Sequence, residues 1–146
     1  MTESDLRSAV VAEAKTWLKT PFRDCARVKG AGVDCAQFIA AVYEKTLGRS
    51  IPIEPYSPQW HLHRDEERYI AGLLSEGCRE ISESDVNPGD IVLYKQGRTY
   101  SHGAIVIAWP TRIIHAIKLM RGVCYSDPSC DRFLTNRERK FFSFWN

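Results

Sequence analysis

Residues 88–118 read PGDIVLYKQGRTYSHGAIVIAWPTRIIHAIK. Short runs rich in Ile, Val and Tyr are separated here by turn residues, with Asn87-Pro88-Gly89 ahead of the first run, Gln96-Gly97 after it and Trp109-Pro110 before the last. This is the pattern of strands joined by tight turns, not of helices. Followed in both directions, it predicts strands over 79–82, 90–95, 102–109, 112–118, 121–125 and 140–145. Upstream the period changes. Leu6, Val10, Ala14, Trp17 and Leu18 recur at helical spacing from about Ser4 to Lys19, with Thr2 and Asp5 as a capping box and Thr20-Pro21 as the stop. A loop from Arg23 through Gly32 follows. A second helix is predicted from Cys35 to about Leu47, because Asp34 stands at the N-cap, Phe38, Ile39, Val42, Tyr43 and Leu47 recur at helical spacing, and Gly48 closes it. The three prolines of 51–58 oppose both helix and central strand. A shorter helix is predicted from Arg64 to Ser75, with Tyr69, Ile70, Leu73 and Leu74 inward and Gly77 as its stop. Helices followed by hairpin-spaced strands give an α+β fold, N-terminal helices packed on an antiparallel sheet.

The composition agrees with one core. A chain of 146 residues with 44% hydrophobic residues is the size of a single domain, taken here as 1–146. Four Trp, six Tyr and six Phe, beside only nine Gly and seven Pro, exclude a linker or a fibrous protein. Twenty Lys and Arg against eighteen Asp and Glu leave a net charge of +2, which without a clustered basic face does not point to nucleic acid. The longest apolar run, Ala104 to Trp109, is far short of the roughly 20 residues of a membrane helix, so no membrane insertion is expected. Met1-Thr2-Glu3-Ser4-Asp5 lacks the basic start and apolar core of a secretory signal, so the expectation is synthesis in a reducing cytoplasm without a signal peptide. Five cysteines cannot all pair within one chain, so at least one thiol is expected to be free.

One of these cysteines has a position that favours chemistry. Cys35 opens the predicted second helix, where unpaired N–H groups and the positive end of the dipole favour a thiolate and, equally, an oxyanion. The plainer reading is a small buried hydrophobe. A nucleophile needs a base, and His102 and His115 are polar residues set into apolar strands. A two-residue turn at Trp109-Pro110 pairs 102 with 117 and makes His115 a diagonal neighbour of His102, whereas a four-residue loop sets the two directly opposite. Both registers put the rings on one face, one to take the thiol proton and the other to hold its orientation. Arg23, Arg27 and Lys29, just upstream, either attract substrate carboxylates or form a solvated basic loop. A zinc site built from Cys124, Cys130, His61 and His63 is the rival from another class. Neither pair has the short spacing of a zinc knuckle, and His61 and His63, with Trp60, fit a cleft-rim segment better.

Read in order, Pro21-Phe22, Gly32-Val33-Asp34-Cys35, Pro88-Gly89-Asp90-Ile91-Val92-Leu93-Tyr94, Ser101-His102-Gly103-Ala104-Ile105 and Ile114-His115-Ala116 resemble the NlpC/P60 family of cysteine peptidases. Thr20-Pro21-Phe22-Arg23, Val28 through Cys35 and Pro55-Tyr56-Ser57-Pro58-Gln59-Trp60 look like its bacteriophage branch, whose members accompany tail assembly or the tail tip. The resemblance implies a papain-like core with Cys35 as nucleophile, His102 as general base and acid, and His115 as third polar residue. It implies hydrolysis of amide bonds in peptidoglycan stem peptides, especially between D-γ-glutamate and a diamino acid, with no metal or organic cofactor. Partners would be the stem peptide and phage tail proteins, and the location a virion or tail. Asp34 matches the acidic residue before the nucleophile, its local role an N-cap; Ser101 flanks the base. Two departures stand out. Phe22 replaces a tyrosine whose hydroxyl helps organise the site in many members, and Ala36-Gln37 replaces Ser-Gly, so that Gln37 either points outward or narrows the cleft. Cys25, in a tight loop, reads as a bystander. These departures favour the alternative of a catalytically weak structural or binding component that keeps the fold.

Overall fold

The computed structural model describes residues 1–53 and 68–145. Helix α1 (Glu3–Lys15) begins at the expected capping box, the Thr2 hydroxyl accepting from the Asp5 N–H and the Asp5 carboxylate from the Thr2 N–H, each at 3.1 Å. It stops four residues short of the predicted Lys19. The chain must turn there so that the Lys19 N–H can reach the Val123 carbonyl at 3.0 Å, and Lys19 takes a φ of +70° to do so. Helix α2 (Cys35–Leu47) has the predicted bounds: the Asp34 side chain accepts from the Gln37 N–H at 2.9 Å, and Gly48 closes it in the left-handed region at φ +66°.

Between them the predicted loop contains a small antiparallel ladder, β1 (Arg27–Val28) with β2 (Gly32–Val33). Four residues of strand are too short to leave a period in the sequence. The third helix, α3, is described from Arg68 to Ser75. Tyr69 and Leu73 are buried as expected, but Leu74 is 49% exposed, because the residue after Leu73 is turned about 100° from it on the helix. The predicted start at Arg64, the segment Pro55 to Trp60, and His61 and His63 lie outside the described residues.

The six predicted strands form one antiparallel sheet: β3 (Arg79–Ile81), β4 (Ile91–Gln96), β5 (Thr99–Ala108), β6 (Arg112–Ile117), β7 (Gly122–Ser126) and β8 (Arg139–Ser143). The spatial order is β3-β8-β4-β5-β6-β7, so the last strand lies between β3 and β4. A short helix, α4 (Arg132–Thr135), which the sequence did not reveal, connects β7 to β8. Helices cover one face, where Val10, Phe38, Ile39 and Val42 pack against Ile91, Leu93 and Ile105. Leu134 of α4 packs on the other, against Val92, Tyr94, Ala104, Val106 and Phe141.

Two buried contacts fasten α1 and α2 to the Pro88-Gly89-Asp90 corner. The Arg7 guanidinium donates to the Asp90 carboxylate and to the Pro88 carbonyl, each at 2.9 Å, and stacks 4.4 Å from the Trp145 ring centre. The Tyr43 hydroxyl donates to the Gly89 carbonyl. Gly89 needs its φ of +92° for this corner, where an L side chain would be strained.

Candidate active site

The β5–β6 ladder settles which of the two registers applies. Ile105 faces Ile114 and Val106 faces Ile113. Continued along the strands, that register sets 102 against 117 and makes His115 the diagonal neighbour of His102. The turn itself differs from the two-residue form, since an irregularity after Val106 pairs Ala108 with Arg112 and leaves three residues in the loop. The two imidazoles meet edge to face, centres 5.0 Å apart, with His102 Nε2 and His115 Nδ1 at 2.8 Å. His115 Nε2 is in turn 2.7 Å from the Ser126 hydroxyl on β7. This Ser126 link was missed because Lys118-Leu119-Met120-Arg121 gives no clear hairpin signal; the register Ile113 to Ser126 would have placed it. Phe133 of α4 sets its ring at 90° to His102, 5.5 Å away, and the Arg137 guanidinium lies over the Phe133 ring, 4.6 Å from its centre.

A bulge brings Cys35 and β5 together. Tyr94 pairs with His102 but Lys95 with Tyr100, which leaves Ser101 as an extra residue outside the ladder. Its carbonyl accepts the Cys35 thiol at 3.6 Å. The Ser101 hydroxyl is buried and finds no partner among the described residues. The N–H groups of Gly103, Ala36 and Cys35 also bear on the sulfur, each favouring a thiolate. They are outweighed. Burial first and the neighbouring Asp34 carboxylate second push the Cys35 thiol up to about 12. The residue as a whole is half-buried. Burial and then the neighbouring His115 pull His102 well below 6.5, and burial pulls His115 down to about 4. These shifts favour a thiol and neutral imidazoles over the thiolate expected at the helix start, because the cost of desolvating the sulfur opposes the help from the helix dipole.

The remaining sequence candidates divide into supports and surface. Asp34 does more than cap: one oxygen accepts from the Gln37 N–H and the other from the Cys25 N–H at 2.7 Å, tying the loop to the start of α2. Cys25 holds that contact with a φ of +62°. The Gln37 side chain is turned to β1, where Arg27 donates to it at 2.8 Å and to Glu44 at 2.7 Å. Lys29 pairs with Glu13 at 2.9 Å. Two of the three upstream cations are thus held by acidic partners. Arg23 is exposed, donates to the Ala31 carbonyl at 3.2 Å, and lines a shallow groove of about 400 Å³ with Phe22, Asp24, Lys118 and Arg121. Phe22 is half-buried against the helix-side core and bridges Val33, two residues before the nucleophile.

Of the proposed zinc set, Cys124 lies opposite His115 on β7 and Cys130 is exposed before α4. Among the described residues no three His, Cys, Asp or Glu side chains gather as a metal site.

The family model described as "NlpC/P60 family" matches residues 20–136. The murein DD-endopeptidase MepS/murein LD-carboxypeptidase of Escherichia coli K12 is 24% identical over 112 residues, covering 77% of this chain and 50% of that protein. The chain thus spans about half the length of the curated relatives it matches. Among solved structures, the NlpC/p60 domain of the peptidoglycan hydrolase SagA superposes with a TM-score of 0.65 at 23% identity, over 92% of this chain and 96% of that one. NlpC2 from Trichomonas vaginalis gives 0.71 at 15% identity, over 100% and 49%. At these identities the likeness to the solved structures is one of fold.

Proposed function

The chain belongs to the NlpC/P60 family, and from that premise we propose that it is a cysteine peptidase that hydrolyses amide bonds in peptidoglycan stem peptides, of the D-γ-glutamyl to diamino acid type, through an acyl-enzyme on Cys35. The observation that carries the reading is what meets on β5: the Cys35 thiol at the start of α2 donates to the carbonyl of Ser101, the residue before His102, and His102 heads the His102–His115–Ser126 chain. The tautomer this reaction needs has Nε2 of His102 donating to Nδ1 of His115 and Nε2 of His115 donating to Ser126, which leaves Nδ1 of His102 to accept a proton.

In the acylation step the thiol proton passes to His102, and the sulfur forms a bond to the substrate carbonyl carbon. The C–N bond then breaks, and the leaving amine takes its proton from His102. Water, deprotonated by the same ring, cleaves the thioester. Starting from a neutral pair, the thiol ionises only as it attacks, with the N–H groups at the start of α2 taking up the charge. Arg23, Lys118 and Arg121, which have no acidic partner among the described residues, suit the carboxylates of an acidic stem peptide.

The phage and virion association rests on the segments around Thr20, Val28 and Pro55 noted above, with tail proteins as partners and 1–146 acting as one domain. A second reading, a structural tail component with little activity, is favoured by the high thiol pKa and by Phe22, which brings no hydroxyl to the site. Cys35→Ala separates the two. Product release from purified stem peptides by the wild type, reduced by more than about 1,000-fold in the variant, is expected for the peptidase; equal release, or none from either, would sink it.

A further inference from the structure

Resting on the peptidase reading, we propose that Tyr69 is a catalytic residue of the site, its phenol O–H donating to the substrate carbonyl oxygen as negative charge develops there. Tyr69 is 6% exposed, yet its hydroxyl makes no hydrogen bond with any described residue. A phenol held dry and unpaired is costly, and such groups in native proteins usually serve a purpose. Its location suggests which. The Tyr69 oxygen lies 3.0 Å from where a Cβ on Gly103 would stand, beside Ile39 Cδ1 at 2.7 Å and Leu93 Cδ2 at 3.0 Å. A side chain at 103 would force Ile39 to shift and crowd the phenol, so glycine there keeps the space both occupy. Gly103 is also the strand residue whose N–H bears on the Cys35 sulfur. The hydroxyl and the nucleophile therefore both approach the same residue of β5.

No hydrogen bond links the Tyr69 hydroxyl to the Cys35 thiol. A donor that served the sulfur would be spent in the resting state, whereas one set apart from it is free for an oxygen that arrives with the substrate. Burial, with Cys35 and Asp34 next, raises the phenol well above 10, which keeps it a donor throughout. In the step itself the C–S bond forms as the carbonyl π pair moves onto oxygen, and that oxygen accepts from Tyr69. When the C–N bond breaks the pair returns, the amine leaves with the proton from His102, and the Tyr69 proton stays in place.

Tyr69→Phe removes the oxygen and keeps the ring. For cleavage of a purified stem peptide, kcat is expected to fall about 100-fold with KM changed less than about threefold. Alkylation of Cys35 by iodoacetamide, which builds no oxyanion, should proceed at the wild-type rate, and the thermal midpoint should hold or rise. An unchanged kcat beside an active wild type would overturn the role of Tyr69 alone. So would an equal fall in turnover and alkylation, the mark of a merely structural role. An inactive wild type would overturn the peptidase reading with it.

Discussion

His115→Gln tests whether the buried histidines are neutral in the folded protein. The amide keeps a hydrogen-bonding group near His102 but cannot take a proton. In the wild type, burial lowers His115 from 6.5 to about 4, and His102 lies well below 6.5 as well. Below about pH 6.5 the unfolded chain binds protons that the folded one refuses, so stability is complete above that pH and is lost as pH falls from there through about 4. For His115 alone, going from pH 7 to pH 5 costs about 2 kcal/mol, rising to about 3 kcal/mol below pH 4. Urea unfolding of both proteins at pH 7 and pH 5 reads this directly, and the comparison cancels the carboxylates they share. The wild type should lose about 2 kcal/mol more than the variant over that interval. Equal losses would refute the reasoning. A wild type that gained stability on acidification relative to the variant would mean that an imidazolium is already present in the fold, as the thiolate expectation requires.

The raised Cys35 thiol makes a kinetic prediction of opposite sense to the helix-dipole argument: its alkylation by iodoacetamide, followed by mass mapping, should keep rising about tenfold per pH unit through pH 8. A plateau near pH 6 would show a preformed thiolate. Asp90→Ala leaves the Arg7 guanidinium, whose side chain is 10% exposed, with Glu3 and the Pro88 carbonyl but without its buried carboxylate, and should destabilise the fold by about 1–3 kcal/mol in chemical denaturation; a loss under about 0.5 kcal/mol would remove that ion pair as the anchor of α1.

What the sequence disclosed is what local signals encode. Asp34 and Gly48 gave both ends of α2, because caps are written in the residues that make them. The alternation of 102–108 and 112–117 put His102 and His115 on one face for both even-length loops, and the irregularity after Val106 keeps that parity although the loop holds three residues. Long-range consequences stayed hidden. Ser126 depended on a turn without glycine, and Tyr69 reaches Gly103 only through the packing of α3. Cys35 was read from its own helix, while its thiol answers to everything packed around it, Asp34 included. The acidic residue that builds the helix start also works against the charge the helix start favours.

The place of β8 has a consequence for how the domain is assembled. Ile91 to Tyr94 of β4 pair with Arg139 to Phe142, and β3 joins the sheet through β8 alone, Arg79 against Ser143. A break in the chain ahead of residue 139 would therefore detach two strands, not one, and bare the flank of β4, the neighbour of the strand that carries His102. Because β4 must wait for a partner nearly fifty positions along the chain, closure of the sheet is a late, non-local event. The histidine strand can acquire its bulge and its hairpin early, but its support on that side arrives only when the far end of the domain is in hand.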